Sequence, residues 1–172
     1  MSQSSEPQWF AAYTRNNFAR RIKSRLVEAG VECYLPMRMQ EHIYNGRKRR
    51  IEVPLIPNVV FIRVEADACY DIVNELSLPV RYVLDRAERR PAPISDKQMS
   101  DFRFLVEMPD ECLTLVDIPL AAGDRVRVTA GPMKGIEGEL IRIKGHRRVV
   151  VRLNDTISVA STYIPATMLE RI

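Results

Sequence analysis

Residues 37–56 read MRMQEHIYNGRKRRIEVPLI, and this stretch decides the plan of the N-terminal half of the chain. Asn45 and Gly46 separate two runs in which apolar and polar residues alternate. An Asn-Gly pair between such runs predicts a β-hairpin, because both central residues of a type I′ turn need a positive φ. The pattern thus predicts four consecutive cations, Arg47 to Arg50, at a hairpin tip. They are either a solvated tip or a contact for an acidic partner.

The segments around this hairpin predict an alternation of strands and helices. QWFAAYT (8–14) is typical of a strand, and RNNFARRIKSRLVEAG (15–30) predicts a helix that ends at Gly30. Further along, the pattern predicts a strand at NVVFIRV (58–64), a helix at ADACYDIVNEL (66–76), a strand at VRYVL (80–84) and a helix at SDKQMSDFRFLVEM (95–108), opened by a Ser95–Gln98 capping box. This order predicts an antiparallel sheet with helices on one side, a ferredoxin-like α/β sandwich.

The pattern changes after residue 108. The segments DRVRVTAG (124–131), EGELIRIKG (137–145), RRVVVRLN (147–154) and ISVASTYIP (157–165) are short alternating runs separated by turns. Such spacing predicts a small SH3-like β-barrel, and its Val, Ile and Thr content favours strands over any helical alternative. We therefore predict an α+β chain with domains at 1–108 and 119–172, joined by a linker at 109–118.

Composition limits the class of protein. The chain has 172 residues, of which 46% are hydrophobic, which is enough for packed cores. No run is long enough for a transmembrane helix and the start, MSQSSEPQ, is polar, so we expect a soluble cytoplasmic protein without membrane contact. The three cysteines are widely spaced and fit buried small hydrophobic residues better than a disulfide or a metal site.

The positive charge is concentrated in the N-terminal half. The formal net charge is +4, with 17 Lys and Arg against 14 Asp and Glu in residues 1–108, and 9 against 8 in residues 109–172. Two groups of cations stand out, one at Arg47 to Arg50 and one formed by Arg15, Arg20, Arg21, Lys23 and Arg25. Clustered cations with aromatic neighbours are compatible with nucleic-acid binding, although charge runs are more often solvated faces.

Reactive side chains are not clustered in the sequence. His42 and His146 lie in different predicted domains beside no Cys or Ser motif, and there is no glycine-rich phosphate-binding motif. We therefore expect a protein that is not an enzyme and that needs no cofactor or metal.

The run around Pro57 raises the question of a protein-binding face. Apolar side chains crowd the seven positions 55–61, among them Leu55, Ile56, Pro57, Val59 and Phe61. Strand alternation sends successive residues to opposite faces of a sheet. Either one face is left exposed as an interface, or the strand is central and buried on both sides.

These segments resemble the NusG family of transcription elongation factors. WFAAYTRNNFARRIKSRL (9–26) resembles the opening of its N-terminal domain, VPLIPNVVFIRV (53–64) its proline-centred strand, and RPAPISDKQM (90–99) the connection into its last helix. GDRVRVTAGPMKGIEGELIRI (123–143) resembles the KOW motif, with Gly131, Gly135 and Gly138 in the turn. AGVECYLPM (29–37) and EVPLIPNVVF (52–61) look more like specialised paralogues, the RfaH group and the UpxY-type regulators of Bacteroides capsular polysaccharide operons.

The resemblance implies a monomeric antitermination or elongation regulator that binds the clamp helices of the largest RNA polymerase subunit and suppresses pausing or termination. It implies RNA polymerase contacts at Tyr13, Ile56, Pro57, Val59, Met99, Tyr70 and Asp71. Upstream or non-template DNA would meet Arg15, Arg21 and Arg25, while Arg47, Lys48, Arg49 and Arg50 would add affinity without reading bases. The barrel would recruit a small-subunit ribosomal protein or a termination factor. The alternatives are a housekeeping NusG-type factor and a ribosomal-type KOW protein that binds RNA.

Overall fold

The computed structural model describes residues 6–109, 112–115, 123–154 and 157–172. The chain divides into two compact units, Met1–Pro93 and Ile94–Ile172. Within the described residues, no helix combines the length and the apolar character needed to cross a lipid bilayer.

The N-terminal unit is built on an antiparallel sheet with the strand order β2-β5-β1-β6. Its elements are β1 (Gln8–Thr14), α1 (Ala19–Glu28), β2 (Glu32–Tyr34), β3 (Met37–Tyr44), β4 (Arg47–Pro54), β5 (Val59–Val64), a 3₁₀ turn (Ala66–Ala68), α2 (Cys69–Glu75) and β6 (Val80–Tyr82), with β7 (Pro93–Ile94) at the boundary between the units. The predicted order of strands and helices is confirmed.

The core of this unit lies between the sheet and α1 with α2. Ile22 and Leu26 of α1 are almost fully buried against Phe10 of β1 and Val60 and Ile62 of β5. The helical spacing of Ile22 and Leu26 places them on one stripe, which is why α1 lies flat on the sheet. Helix α1 therefore holds a fixed position relative to β1 and β5.

Local chemistry sets both ends of α1. Asn17 has a φ of 63° and the Phe18 N–H donates to the Arg15 carbonyl at 3.1 Å, so a turn precedes the helix, which begins at Ala19 and not at residue 15. At the other end, Gly30 has a φ of 73°, its N–H donates to Val27, and the Val31 N–H donates to Leu26. This is a Schellman motif, so the predicted end at Gly30 is confirmed.

The predicted hairpin is present, but its cations do not lie at the tip. Asn45 and Gly46 have φ of 49° and 74°, as a type I′ turn requires, and β3 and β4 pair from Met37↔Pro54 to Tyr44↔Arg47. Arg47 to Arg50 therefore form the first half of β4. Because strand side chains alternate, the four cations are divided between the two faces of the hairpin.

The hairpin also leaves the main sheet at a defined point. Residues 32–44 form two strands, β2 and β3, which are separated at the buried residues Leu35 and Pro36. The Leu55 N–H donates to the Pro36 carbonyl at 2.8 Å and closes the base of the hairpin. Strand β2 pairs with β5, and β3 with β4 forms a separate two-stranded sheet.

The C-terminal unit contains α3 and the antiparallel sheet of the predicted barrel, with the strand order β13-β9-β10-β11-β12-β8. Its elements are α3 (Asp96–Glu107), β8 (Leu113–Leu115), β9 (Asp124–Val128), β10 (Glu137–Ile143), β11 (His146–Arg152), β12 (Ser158–Tyr163), a 3₁₀ turn (Ala166–Met168) and β13 (Leu169–Arg171). Val126 and Val128 are buried at alternate positions of β9, whereas Val149, Val150 and Val151 of β11 are buried at consecutive positions.

Two features of the structure lie near the predicted domain limits. Strand β8 lies inside the predicted linker and pairs with Val159–Ser161 of β12, while residues 110, 111 and 116–118 of that linker lie outside the described residues. Helix α3 falls in the compact unit Ile94–Ile172, and a polar row on this helix bonds to barrel backbone, as described below.

Candidate binding surfaces

Strand β5, which follows Pro57, is buried on both faces. Its apolar sequence left two alternatives, an exposed interface face or a buried central strand, and β5 is a buried central strand. Val59, Val60, Phe61 and Ile62 are each at most 1% exposed. Val59 and Met99, which the resemblance implies as polymerase contacts, are both 1% exposed and cannot touch a partner in this structure. Strand β5 is a central strand of the sheet, because it pairs with β1 and β2 on its two edges.

The apolar residues that do reach the surface lie where β1 ends and β5 begins. Tyr13 is 39% exposed and is the register partner of Val59, and the Thr14 N–H donates to the Asn58 carbonyl at 2.8 Å. Pro57 is exposed and Ile56 is half-buried in the loop before Asn58. Tyr13 is thus held beside the loop that carries Ile56 and Pro57.

A groove of about 400 Å³ flanks Tyr13 on its other side. Strands β1 and β6 pair there in the register Tyr13↔Arg81, so the groove has an aromatic ring between two cations, Arg15 and Arg81. Arg81 was not among the predicted site residues, because only the pairing of β1 with β6 brings residue 81 next to residue 13. The sequence alone does not show that residues 13 and 81 are neighbours in the sheet.

Helix α2 presents Tyr70 and Asp71 to solvent. Tyr70 is 52% exposed, and its ring meets the buried ring of Tyr82 edge-on with centroids 6.0 Å apart. The Tyr82 hydroxyl donates to the Cys69 carbonyl at 3.0 Å. Burial raises the pKa of the Cys69 thiol to about 11 and raises the pKa of Tyr82 above its ordinary value of 10.0. Both groups are neutral packing elements that fix the position of Tyr70.

The cations of α1 do not share one role. The Arg25 guanidinium donates to the Leu76 carbonyl and, at 3.4 Å, to the Ser77 carbonyl at the end of α2. Arg20 donates to the Glu52 carbonyl of β4. Arg15 and Arg21 are exposed. Two of the cations therefore tie α1 to neighbouring elements, and the others remain on the surface.

The hairpin carries the largest exposed group of cations. Every residue from Gln40 to Ile51 is exposed, which includes Arg47, Lys48, Arg49 and Arg50. Its turn is flanked by Tyr44, which is 66% exposed. An aromatic ring among arginines on a protruding ribbon is compatible with binding to a polyanion.

The KOW glycines have two different physical causes. Gly131 and Gly135 have φ of 81° and 95°, which L side chains rarely adopt. Gly138 lies within β10, where an added Cβ would meet the Val150 carbonyl oxygen at 2.4 Å. Gly123, which sequence analysis did not single out, has the same close approach to the Leu140 carbonyl oxygen.

A polar row on α3 contacts the same part of the barrel. The Lys97 ammonium donates to Asp101 at 2.7 Å and to the Gly135 carbonyl at 2.8 Å. The Glu137 N–H donates to the buried Asp101 carboxylate at 3.0 Å, and the Gln98 amide donates to the Arg152 carbonyl at 2.9 Å. The helix is predictable from its sequence pattern, whereas these long-range partners are not.

Two family models match the chain. One described as "Transcription termination factor nusG" matches residues 7–103, and one described as "KOW motif" matches residues 122–152. The transcription termination/antitermination protein NusG of Borreliella burgdorferi is 24% identical over 156 residues, which cover 81% of this chain and 84% of that protein.

Two solved structures are also similar. The structure described as "Domain interaction in Thermotoga maritima NusG" has a TM-score of 0.46 and 20% identity, covering 97% of this chain and 98% of that one. The MjSpt4:Spt5 complex has a TM-score of 0.32 and 17% identity, covering 95% and 96%. The first family model spans more than half of the chain and the second falls on the predicted barrel, in the order that the sequence motifs predict. The chain therefore belongs to the NusG family of transcription termination and antitermination factors.

Proposed function

We propose that this protein is an elongation and antitermination regulator that binds the clamp helices of the largest RNA polymerase subunit and suppresses pausing or termination. The observation that carries the proposal is the apolar surface formed by Tyr13, Ile56 and Pro57 in a member of the NusG family. It acts by binding. We further propose that it works at particular operons, such as capsular polysaccharide loci, as a specialised paralogue.

The Tyr13 surface suits an apolar protein contact, such as the proposed one with the clamp helices, for a physical reason. The tyrosine ring and the proline ring lose little conformational entropy on binding, and both belong to backbone held by β1 and β5. An apolar contact of this kind needs a rigid base, because a mobile loop would have to be ordered at the moment of binding. Tyr70 and Asp71 on α2 would meet polymerase at a second surface.

The cationic residues would meet nucleic acid beside the polymerase. Arg15 and Arg21 are exposed and available for upstream or non-template DNA, and Arg47, Lys48, Arg49 and Arg50 extend the basic surface along the hairpin. Arg25 would act on α1 indirectly, by fixing it to the end of α2. The barrel would recruit a small-subunit ribosomal protein or a termination factor.

The charges on the barrel favour a protein partner over ribosomal RNA. Three of its arginines are paired with acids on neighbouring strands: Arg127 with Glu137 at 2.8 Å, Arg152 with Glu139 at 3.0 Å, and Arg171 with Asp124 at 2.8 Å. A surface that binds structured RNA needs cations left for phosphates. We therefore favour transcription over a ribosomal role.

Capture of core RNA polymerase by the purified protein tests the proposal. We expect Tyr13→Asp and Ile56→Asp each to weaken capture by about tenfold or more, because a carboxylate would have to be desolvated in an apolar contact. Leu84→Asp is the matched control, since Leu84 is 46% exposed at a site outside this surface. Circular dichroism would verify that all three variants are folded. If the wild-type protein captures no polymerase, the proposal is wrong.

A further inference from the structure

The two faces of the β3–β4 hairpin differ sharply in charge. Cross-strand partners share a face, and the register pairs Tyr44 with Arg47 and His42 with Arg49. One face, here called the basic face, thus carries Arg38, Gln40, His42, Tyr44, Arg47, Arg49, Ile51 and Val53. Within Met37–Pro54, this face has three arginines and no acid.

The opposite face is close to neutral. It carries Lys48 and Arg50 together with two acids, Glu41 and Glu52. Glu41 is the register partner of Arg50, and its carboxylate lies 3.8 Å from the Lys48 ammonium. The four consecutive cations of the sequence are therefore two pairs with different surroundings. Arg47 and Arg49 lie on the face without acids, whereas Lys48 and Arg50 share their face with Glu41 and Glu52.

The hairpin has the shape of a free ribbon. Among the described strands, β3 and β4 pair with each other alone, and each has eight residues, or about 27 Å at 3.4 Å per residue. A single two-stranded hairpin is only marginally stable in water, and concentrating three arginines on one face adds repulsion. A polyanionic partner would remove that repulsion.

Duplex DNA matches this ribbon in both shape and charge spacing. The major groove of B-DNA admits a two-stranded β-ribbon. Arg47 and Arg49 are two residues apart on one face, about 6.8 Å, which equals the rise along the helix axis of two phosphates on one strand of the duplex, about 3.4 Å each. Arginine also binds phosphate oxygens through two parallel hydrogen bonds.

We propose that the basic face of the hairpin is a binding surface for the backbone of duplex DNA, with Arg47 and Arg49 as its main phosphate contacts. Within the basic surface of the hairpin, Lys48 and Arg50 make no phosphate contact of their own, because Glu41 lies 3.8 Å from the Lys48 ammonium and directly opposite Arg50. This inference rests on the proposed function, in that binding to polymerase would bring the hairpin beside DNA. It goes beyond the proposed function because it assigns the DNA contact to one face of the hairpin.

Two double variants with equal charge change test the assignment in the full-length protein. Affinity for a fluorescent B-DNA duplex would be measured by anisotropy over a series of salt concentrations. The Arg47→Ala/Arg49→Ala variant should bind about tenfold more weakly and should lower the salt slope of log K by about 2, because each lost phosphate contact lowers it by about 1. The Lys48→Ala/Arg50→Ala variant should leave the slope unchanged.

Three results would overturn the assignment. Equal losses in both double variants would mean that only net charge matters, and unchanged binding in both would mean that the hairpin does not touch DNA. If the basic-face variant kept DNA binding and lost polymerase capture, the face would bind an acidic protein surface instead. Polymerase capture by the Tyr13 and Ile56 variants is read separately, so failure of the proposed function would leave the DNA result interpretable.

Discussion

Arg21 and Arg25 lie one helical turn apart on α1, and the sequence gives no reason to separate them. The structure does, because the Arg25 guanidinium reaches the Leu76 and Ser77 carbonyls whereas Arg21 is exposed. The last carbonyls of a helix have no partner within the helix, so a guanidinium that reaches them satisfies backbone groups that would otherwise need water. A basic side chain on α1 can therefore be part of the fold instead of the binding surface.

This difference predicts unequal effects on stability when the two arginines are replaced. Arg25→Ala should lower the free energy of unfolding by about 1.5–3 kcal/mol, the usual range for hydrogen bonds to a charged group. Arg21→Ala should change it by no more than about 0.5 kcal/mol, as is usual for exposed positions. Urea denaturation followed by the fluorescence of Trp9, the single tryptophan, reports on the N-terminal unit. Equal midpoints for the two variants would show that the Arg25 contact contributes nothing.

At the scale of elements, turns and helix ends were predictable because their chemistry is local. The Asn45–Gly46 turn, the Gly30 helix end and the Ser95 capping box depend on residues within a few positions of each other. The burial of the Val59 and Met99 side chains was not predictable, since it depends on which elements pack over them. The same holds for the two faces of the hairpin, which become unequal only once the register is known.

The glycines of the KOW motif show the same limit of prediction from sequence, because identical residues are required there for different structural reasons. Gly138→Ala should destabilise the barrel by about 3 kcal/mol, since the new Cβ would collide with a backbone oxygen that cannot rotate away. Gly135→Ala should cost about 1–2 kcal/mol, the strain of a positive φ, because nothing lies within 4 Å of its Cβ position. Amide exchange of β10 and β11 would measure both. A larger effect at Gly135 would contradict the steric explanation.

At the scale of the whole molecule, the sequence predicted the two folds in their correct order but not the polar contacts of one helix. Helix α3 was predicted as the last element of the N-terminal domain; the family model that matches residues 7–103 includes its first part, and the helix falls in the compact unit Ile94–Ile172. The amphipathic pattern of α3 identifies it as a helix, but that pattern does not indicate which sheet its polar side chains will form hydrogen bonds with. The partners of Asp101 are the Glu137 N–H and the Lys97 ammonium, and the first lies 36 residues away.

Asp101 therefore tests whether α3 behaves as part of the barrel. Asp101→Ala in the full-length protein leaves the buried Glu137 N–H without an acceptor, which should lower the exchange protection of α3 and β10 together by about 1–3 kcal/mol. Asp101→Asn keeps an oxygen acceptor and should lose less. Amides of β1 and β5 should keep their protection, because they belong to the other unit. If α3 keeps its protection while β10 loses it, the helix draws its stability from elsewhere and the division at Pro93 does not describe how the chain unfolds.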